Sequence, residues 1–132
     1  MRTRTTITTA IATALLTLTA CGTTPDEVTP AAGPAPAYKI VKQDTEGNAR
    51  TVVVEVDSTD GLEAVFDDVA KKLTEEGGYF VQINCSSGST EHVDNRLANG
   101  KKAVGKMGAV RTGMDDGATE FEPNEGRSCP DA

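Results

Sequence analysis

The sequence predicts a small α+β domain built on a mixed sheet in the order β-β-α-β-β, with one main helix packed on one face. Residues 50–57 (RTVVVEVD) and 79–85 (YFVQINC) alternate in the manner of strands. Residues 58–78, which lie between them, repeat apolar side chains at helical spacing. Because a strand–helix–strand unit forms a right-handed crossover, we expect the two strands to be parallel neighbours in one sheet.

The first strand of this sheet is predicted at residues 38–43. The polar loop 44–48 (DTEGN) follows it and contains Gly47, as in an ordinary hairpin loop. Residues 38–43 and 50–57 should therefore pair antiparallel. The β-branched residues that share one side of the second strand are Val52, Val54 and Val56. Glu55 points to the other side, toward solvent.

The helix between the second and third strands is the clearest element of the chain. Its apolar stripe consists of Leu62, Val65, Phe66, Val69 and Leu73. Asp60 is expected to cap the helix, with Glu63 completing a capping box. The lysines at 71–72 suit the negative end of the helix dipole, and the glycines at 77–78 are expected to stop the helix. The acidic pair at 67–68 falls outside the stripe, so we expect it on a solvated face.

In the last third of the chain the pattern is weaker and alternatives stay open. Residues 90–98 are compatible with a short helix, whereas Asn99-Gly100 is equally a tight-turn signal. Residues 101–113 are predicted to form a strand with a bulge or bend, because glycines interrupt them. From residue 114 onward the chain is acidic and is expected to form a loop.

The charge distribution separates the start of the chain from the rest. The chain of 132 residues has a formal net charge of −7, and Arg2 and Arg4 are the only charged residues among the first twenty. Without them Lys and Arg fall from 13 to 11 against 20 Asp and Glu, which is a net charge of −9. Nucleic-acid backbones and anionic lipid headgroups require clustered Lys and Arg. We therefore expect no nucleic-acid partner.

Residues 1–20 have the layout of an export signal. A basic start is followed by residues 5–20 (TTITTAIATALLTLTA), which contain no charge, Pro or Gly. These sixteen residues are fewer than the roughly 20 that a membrane-spanning helix needs, and seven of them are Thr. The segment therefore predicts export rather than a permanent membrane span.

Leu18, Thr19, Ala20 and Cys21 follow the pattern of a large aliphatic residue, two small residues and a cysteine. This pattern, at this distance from Met1, resembles the lipobox of bacterial lipoproteins. The resemblance covers residues 1–22 and implies that Cys21 receives a diacylglyceryl thioether and becomes the first residue after cleavage. It implies a protein anchored in the lipid bilayer at the extracytoplasmic face of the cell membrane. Two acyl chains make such attachment durable. The alternative is an ordinary secretory signal or an uncleaved helix.

Residues 22–37 (GTTPDEVTPAAGPAPA) contain four prolines and no apolar periodicity. Such a composition predicts an extended, mobile spacer, which reaches about 50 Å at about 3.1 Å per residue. Bacterial lipoproteins commonly carry a linker of this kind. The predicted organisation is an export signal at 1–20, a lipidated cysteine and Pro-rich tether at 21–37, and an α+β extracytoplasmic domain at 38–132. The mature domain also resembles small uncharacterised lipoprotein domains of Gram-positive bacteria, which implies no particular activity.

Cys85 and Cys129 remain as a pair once Cys21 is assigned to lipidation. Disulfides persist in exported proteins, so the two cysteines are predicted to form one. Two free thiols are the alternative. The bond would hold the C-terminal tail against the end of the third strand.

The candidates for chemistry are few. Ser86, His92 and Asp94 follow Cys85 and suggest a weak hydrolase alternative, since a nucleophile needs a base and an orienting carboxylate. The sequence contains one His and no zinc-ligand or calcium-loop spacing, so no metal and no cofactor are predicted.

These observations favour a membrane-anchored, non-catalytic module that binds an unknown protein or other ligand of the cell envelope. The two alternatives are a small hydrolase with a Ser/His loop site and a purely structural envelope lipoprotein.

Overall fold

The computed structural model describes residues 33–130, and in that part of the chain the elements follow the order β-β-α-β-β-α-β. The elements are β1 (Tyr38–Gln43), β2 (Ala49–Val56), α1 (Leu62–Lys72), β3 (Gly77–Cys85), β4 (Arg96–Val104), α2 (Gly105–Thr112) and β5 (Thr119–Pro123). The α+β class and the mixed sheet are therefore confirmed. The predicted β-β-α-β-β order is wrong, because it lacks the second helix and the strand that follows it.

The five strands form one sheet in their sequence order, from β1 at one edge to β5 at the other. β2 and β3 are parallel and are joined through α1, as the crossover argument predicts. The pairs β1–β2, β3–β4 and β4–β5 are antiparallel. The predicted first hairpin is therefore confirmed, and β3 lies at the centre of the sheet.

The core lies between α1 and one face of the sheet. Alternate residues of the two central strands point to this side and are buried; they are Val52, Val54 and Val56 from β2, and Tyr79, Val81, Ile83 and Cys85 from β3. Val65, Phe66, Val69 and Leu73 of α1 pack on them. The period of two along the strands and the helical stripe thus meet as the sequence predicts.

The two helices lie on opposite faces of the sheet. Gly100 pairs with Val81 on the core side, and a Cβ atom at Gly100 would collide with the Phe66 ring of α1. Gly78 has the opposite parity along β3. A Cβ atom there would lie 2.7 Å from the Cβ atom of Arg111 in α2. Since residues of opposite parity along a strand face opposite sides, α2 packs on the side away from α1.

The start and the end of α1 differ from the prediction. Its N-cap is Gly61, in the left-handed conformation with φ 67°, and no side chain caps the helix. The capping box of Asp60 and Glu63 is therefore wrong. The ring of Pro36 occupies the space beside Gly61, only 2.8 Å from where a Cβ atom would stand. At the other end the extended backbone of Leu73 ends the helix, and the two glycines at 77–78 begin β3 instead.

The region after β3 differs most from the prediction. Residues 90–93 form a tight turn rather than a helix, and Asn99-Gly100 lies within β4 rather than in a turn. The strand predicted at 101–113 ends at Val104, and α2 begins at once. Remote carboxylates of Glu76 and Asp116 accept hydrogen bonds from amides of the first turn of α2. These contacts replace a local N-cap, which is why the sequence carries no start signal for the helix.

The C-terminal segment is fastened to the end of β3. The structure places Cys85 and Cys129 at disulfide-bonding distance, with their Cα atoms 5.4 Å apart, which supports the predicted disulfide. The buried amide of Asn95 donates hydrogen bonds to the carbonyl oxygens of Ser87 (3.1 Å) and Ser128 (2.9 Å). The loop after β3 and the tail are thus joined by one covalent link and one polar bridge.

Removing the disulfide should lower the stability of the domain. The bond closes a loop with a sequence separation of 44, and the chain-entropy model assigns such a loop about 4 kcal/mol. We expect the Cys85→Ala/Cys129→Ala variant to unfold at a lower urea concentration than the unaltered protein, as followed by circular dichroism. Reductant should lower the midpoint of the unaltered protein and leave that of the double variant unchanged. Equal midpoints before and after reduction would contradict the prediction.

Candidate functional site

The candidate site lies on the face of the sheet opposite α1, which we call the open face. Within residues 33–130, α2 covers only the end of this face near Gly78. The side chains at its centre are Phe80, Gln82 and Asn84 of β3 and Arg96, Asn99 and Lys101 of β4. Five of the six are only partly buried, and Asn84 is 6% exposed. The open face is therefore polar and partly accessible, unlike the apolar face under α1.

Arg96 is the centre of a hydrogen-bond network on the open face. Its Nε donates to Oδ1 of Asn84 (2.7 Å), its Nη1 to Oδ1 of Asn99 (3.0 Å) and its Nη2 to Oε1 of Gln82 (2.7 Å). A shift in the β3–β4 register after Ile83 pairs Arg96 with Asn84 and makes the first bond possible. The guanidinium is thus held by two neighbouring strands.

Asn124 extends the network to the segment after β5. Its side-chain amide donates to the carbonyl oxygen of Arg96 at 3.1 Å. Its Oδ1 accepts from Nδ2 of Asn99 at 3.4 Å. The backbone amide of Asn124 also donates to the carbonyl oxygen of Leu97, at 2.8 Å. Arg96 is therefore fixed both along its side chain and at its backbone.

The acceptors around the Arg96 guanidinium are neutral amides. The carboxylate of Asp94 lies 3.8 Å from Nη2, and its side chain is 63% exposed. An exposed ion pair of this length contributes little, because water screens both charges. Lys101, in contrast, pairs with Glu120 of β5 at 2.8 Å. Arg96 is thus a held cation whose charge is only weakly compensated.

The structure does not bring the predicted Ser86, His92 and Asp94 together as a catalytic group. Ser86 donates its hydroxyl hydrogen to the carboxylate of Asp57. His92 is exposed in the turn at 90–93, and no hydrogen bond among the described residues joins it to Ser86. Asp94 is nearest to Arg96. In the described part of the chain this loop therefore lacks the nucleophile–base contact that acyl transfer requires.

The lipobox residues Leu18, Thr19, Ala20 and Cys21 lie outside the described residues. Between 33 and 130, neither helix is long and apolar enough to cross a membrane. The same stretch contains no group of three His, Cys, Asp or Glu side chains placed to hold a metal ion.

A second polar cluster joins β1 to α1, on the side of the sheet away from the open face. Tyr38 donates its hydroxyl hydrogen to Asp68 at 2.5 Å, and Lys72 donates to both Tyr38 (2.5 Å) and Asp68 (2.8 Å). The Lys72 ammonium also lies 5.0 Å from the centre of the Tyr38 ring. We call these three side chains the clasp.

The clasp changes the acidity of its members. The hydrogen bond from Lys72, and then that from Tyr38, lowers the pKa of Asp68 below its ordinary value. The hydrogen bond to Asp68 raises the pKa of Lys72 to about 12. Desolvation, followed by the hydrogen bond to Asp68, raises the pKa of Tyr38. All three shifts favour a carboxylate, a neutral phenol and an ammonium at neutral pH.

The predicted tether ends as a strap on α1. Gly33, Pro34 and Ala35 line one depression together with Ala64, Asp67, Asp68 and Lys71 of the helix. Ala35 packs against the core, and Pro36 packs at Gly61. Residues 33–37, which we call the strap, are therefore docked, whereas the composition of 22–37 predicts a mobile segment.

The sequence analysis did not identify the Arg96 network. The alternation of β3 does place Gln82 and Asn84 on the face opposite the core, because they alternate with its buried residues. Arg96 had no such signal, because residues 90–98 were compatible with a helix and its register with β3 follows from a bulge. The three amide oxygens converge only once β4 is paired.

No protein-family model, no curated protein and no solved structure matches the chain.

The clasp should make the free energy of unfolding depend on pH. Because the folded state holds the Asp68 proton less tightly than the unfolded state does, its contribution is present above the ordinary pKa of Asp, about 3.9, and is lost as pH falls through the lower folded-state value. We expect Asp68→Asn to lower the urea midpoint at pH 7 relative to the unaltered protein, with a smaller difference at pH 2.

The matched control is Asp67→Asn, which removes the same charge from the next position of α1. It should leave the midpoint nearly unchanged at both pH values, because Asp67 has no hydrogen bond or ion pair to another described residue. A deficit of Asp68→Asn that is equally large at both pH values would contradict the proposed role of the carboxylate.

Proposed function

We propose that this protein is a lipid-anchored, extracytoplasmic module that binds a component of the cell envelope through the open face and has no catalytic role. The observation that carries this proposal is the Arg96 network. Side chains of two strands and of the following segment hold a half-buried cation on the accessible side of the sheet. Preorganised polar groups on a rigid sheet are typical of recognition surfaces, because little ordering is required on binding.

The anchor is supported by the sequence at Cys21. The lipobox pattern, the basic start and the Pro-rich segment all agree with acylation and tethering. The acidic balance of the remaining chain supports the acyl chains, rather than basic residues, as the contact with the bilayer.

The position of the strap agrees with a binding role for the open face. The strap lies on α1, and the clasp fixes the first residue of β1 to the same helix. The chain that leads toward Cys21 therefore leaves the domain on the α1 side. An anchor that pulls from that side leaves the open face free for a partner.

Replacing Cys21 by Ser should release the protein from the membrane. The acylated thioether requires the cysteine sulfur, so the variant should move from the membrane fraction to the soluble extracytoplasmic fraction and lose incorporation of labelled palmitate. Cys85→Ser/Cys129→Ser serves as the control, since it removes sulfurs but should stay attached. Attachment and labelling that survive the Cys21 change would disprove lipid anchoring.

Photo-cross-linking can test the open face directly. A photoreactive phenylalanine at Phe80, at the centre of this face, should capture a discrete envelope component on intact cells. The same group at Lys71, which is exposed on α1, should not capture it. Capture of that component from Lys71 and not from Phe80 would place the binding surface on the α1 side and contradict the proposal.

A further inference from the structure

We propose that Arg96 is the recognition centre of the open face and that it binds the carboxylate at the end of a peptide chain. This inference rests on the proposed binding role and names the ligand class of the same surface. It is carried by the geometry of the guanidinium, by its charge balance and by the chemistry of the neighbouring amides.

The guanidinium is oriented before any ligand arrives. Each of its three nitrogens donates to a different amide oxygen, on Asn84, Asn99 and Gln82. Arginine carries more N–H donors than these three bonds use, so donors remain on Nη1 and Nη2. The side chain of Arg96 is 27% exposed, which leaves room for an acceptor to approach. The remaining N–H groups on Nη1 and Nη2 are available to donate to the oxygens of a carboxylate.

Its charge balance distinguishes Arg96 from Arg50. Arg50 has a carboxylate partner, Glu75, at 2.6 Å, and its guanidinium also contacts Tyr79. Arg96 has amide partners, which orient it without neutralising it, and its nearest described carboxylate is 3.8 Å away. A partly desolvated cation gains more from a bound anion than a cation already paired does.

The surroundings favour a ligand with one negative charge. Glu122 pairs in register with Asn99, and Glu55 pairs in register with Asn84, so both lie on the open face beside the network. Two carboxylates repel a doubly charged phosphate more strongly than a monocarboxylate. The charge of the site therefore disfavours phosphate relative to a monocarboxylate.

The polar groups around the guanidinium match the groups at the end of a peptide chain. The side-chain oxygen of Gln82 accepts from Arg96, so its NH₂ group is the remaining donor beside the guanidinium. Inward from its carboxylate, a peptide end presents first an N–H donor and then a carbonyl acceptor. A carboxylate of Glu55 or Glu122 is available to accept from that N–H group, and the NH₂ group of Gln82 is available to donate to the carbonyl oxygen. A uronic acid places hydroxyl groups, each both donor and acceptor, at these positions, and the glucuronate titration separates the two ligands.

The test is an NMR titration of the full chain, labelled with ¹⁵N and held in detergent micelles. The probes are acetyl-Ala-Ala with a free carboxylate, the same peptide with a terminal amide, glucuronate and inorganic phosphate. We expect the free acid to shift the Arg96 Nε–H signal and the Gln82 and Asn99 side-chain amides in a saturable manner. The terminal amide should bind about tenfold or more weakly, since it lacks the charge.

Arg96→Gln should weaken binding of the acid by about tenfold or more, whereas Arg111→Gln removes the same charge from α2 and should leave it unchanged. If Arg96→Gln does not fold, the comparison of the free acid with the terminal amide on the unaltered protein still tests the proposal. Equal shifts with acid and amide, shifts away from the open face, or no shifts would overturn the proposal. Preference for glucuronate or phosphate would overturn the assignment to a peptide end.

These outcomes are separable from failure of the proposed function. The titration does not depend on acylation, which the Cys21→Ser fractionation tests. Capture from Phe80 on cells together with an inert titration would leave the binding module standing and remove the carboxylate site.

Discussion

The ring of Phe66 lies against the backbone of Gly100, where a side chain would leave no room for it. Phe121 of β5 stacks on the same ring, with the two centroids 5.6 Å apart. The Phe66 side chain of α1 therefore contacts both β4, at Gly100, and β5, at Phe121. Because this contact places α1 close to β3, β4 and β5, the apolar residues of the sheet are buried on that side. The polar residues are left on the other side, and the open face is a consequence of this packing.

The elements that could be predicted from the sequence are those whose inward-facing positions are all apolar. Val52, Val54 and Val56 in β2 and the stripe of α1 are apolar at every inward position, so their periods are visible without a structure. The antiparallel pairing of β1 with β2 follows from the polar loop between them, whereas the register shift between Ile40 and Lys42 does not. The crossover then follows from the order of elements alone.

β4 could not be predicted, because its inward positions are not uniformly apolar. Gly100 is glycine to make room for Phe66, and Lys102 faces α1 because its ammonium donates to the carbonyl oxygen of Ala70 at 2.5 Å. That bond satisfies a carbonyl in the last turns of α1, where a cation is favoured. A glycine and a lysine on the buried side remove the alternation that a strand should show. The start of α2 is hidden for a similar reason, since its amides are bound by carboxylates distant in sequence.

Only the β3 residues of the candidate site could be predicted from the sequence, because only β3 shows a regular alternation. The outward positions of β3 are fixed once its inward positions are known, so Gln82 and Asn84 could be assigned to the second face. Arg96 reaches them only because a register shift pairs it with Asn84. Ser86 and His92, by contrast, are near in sequence but share no hydrogen bond among the described residues, and the Ser86 hydroxyl donates to Asp57 instead. The short sequence distance between Ser86 and His92 suggests a site in the loop after β3. The Arg96 network instead forms on the sheet, where β3 pairs with β4.

The clasp, the strap and the Arg96 network divide the domain into two sides with different tasks. Tyr38, Asp68 and Lys72 fix the entry of the chain to α1, and residues 33–37 continue along that helix. These contacts use Asp68 and Lys72 of α1 to hold the N-terminal segment of the domain. On the open side, the amide oxygens of Gln82, Asn84 and Asn99 orient a cation without neutralising it. Because Arg96 is oriented by neutral amides and its carboxylate neighbour Asp94 is 3.8 Å away, it attracts an external anion more strongly than Lys72 does, whose carboxylate partner Asp68 is 2.8 Å away.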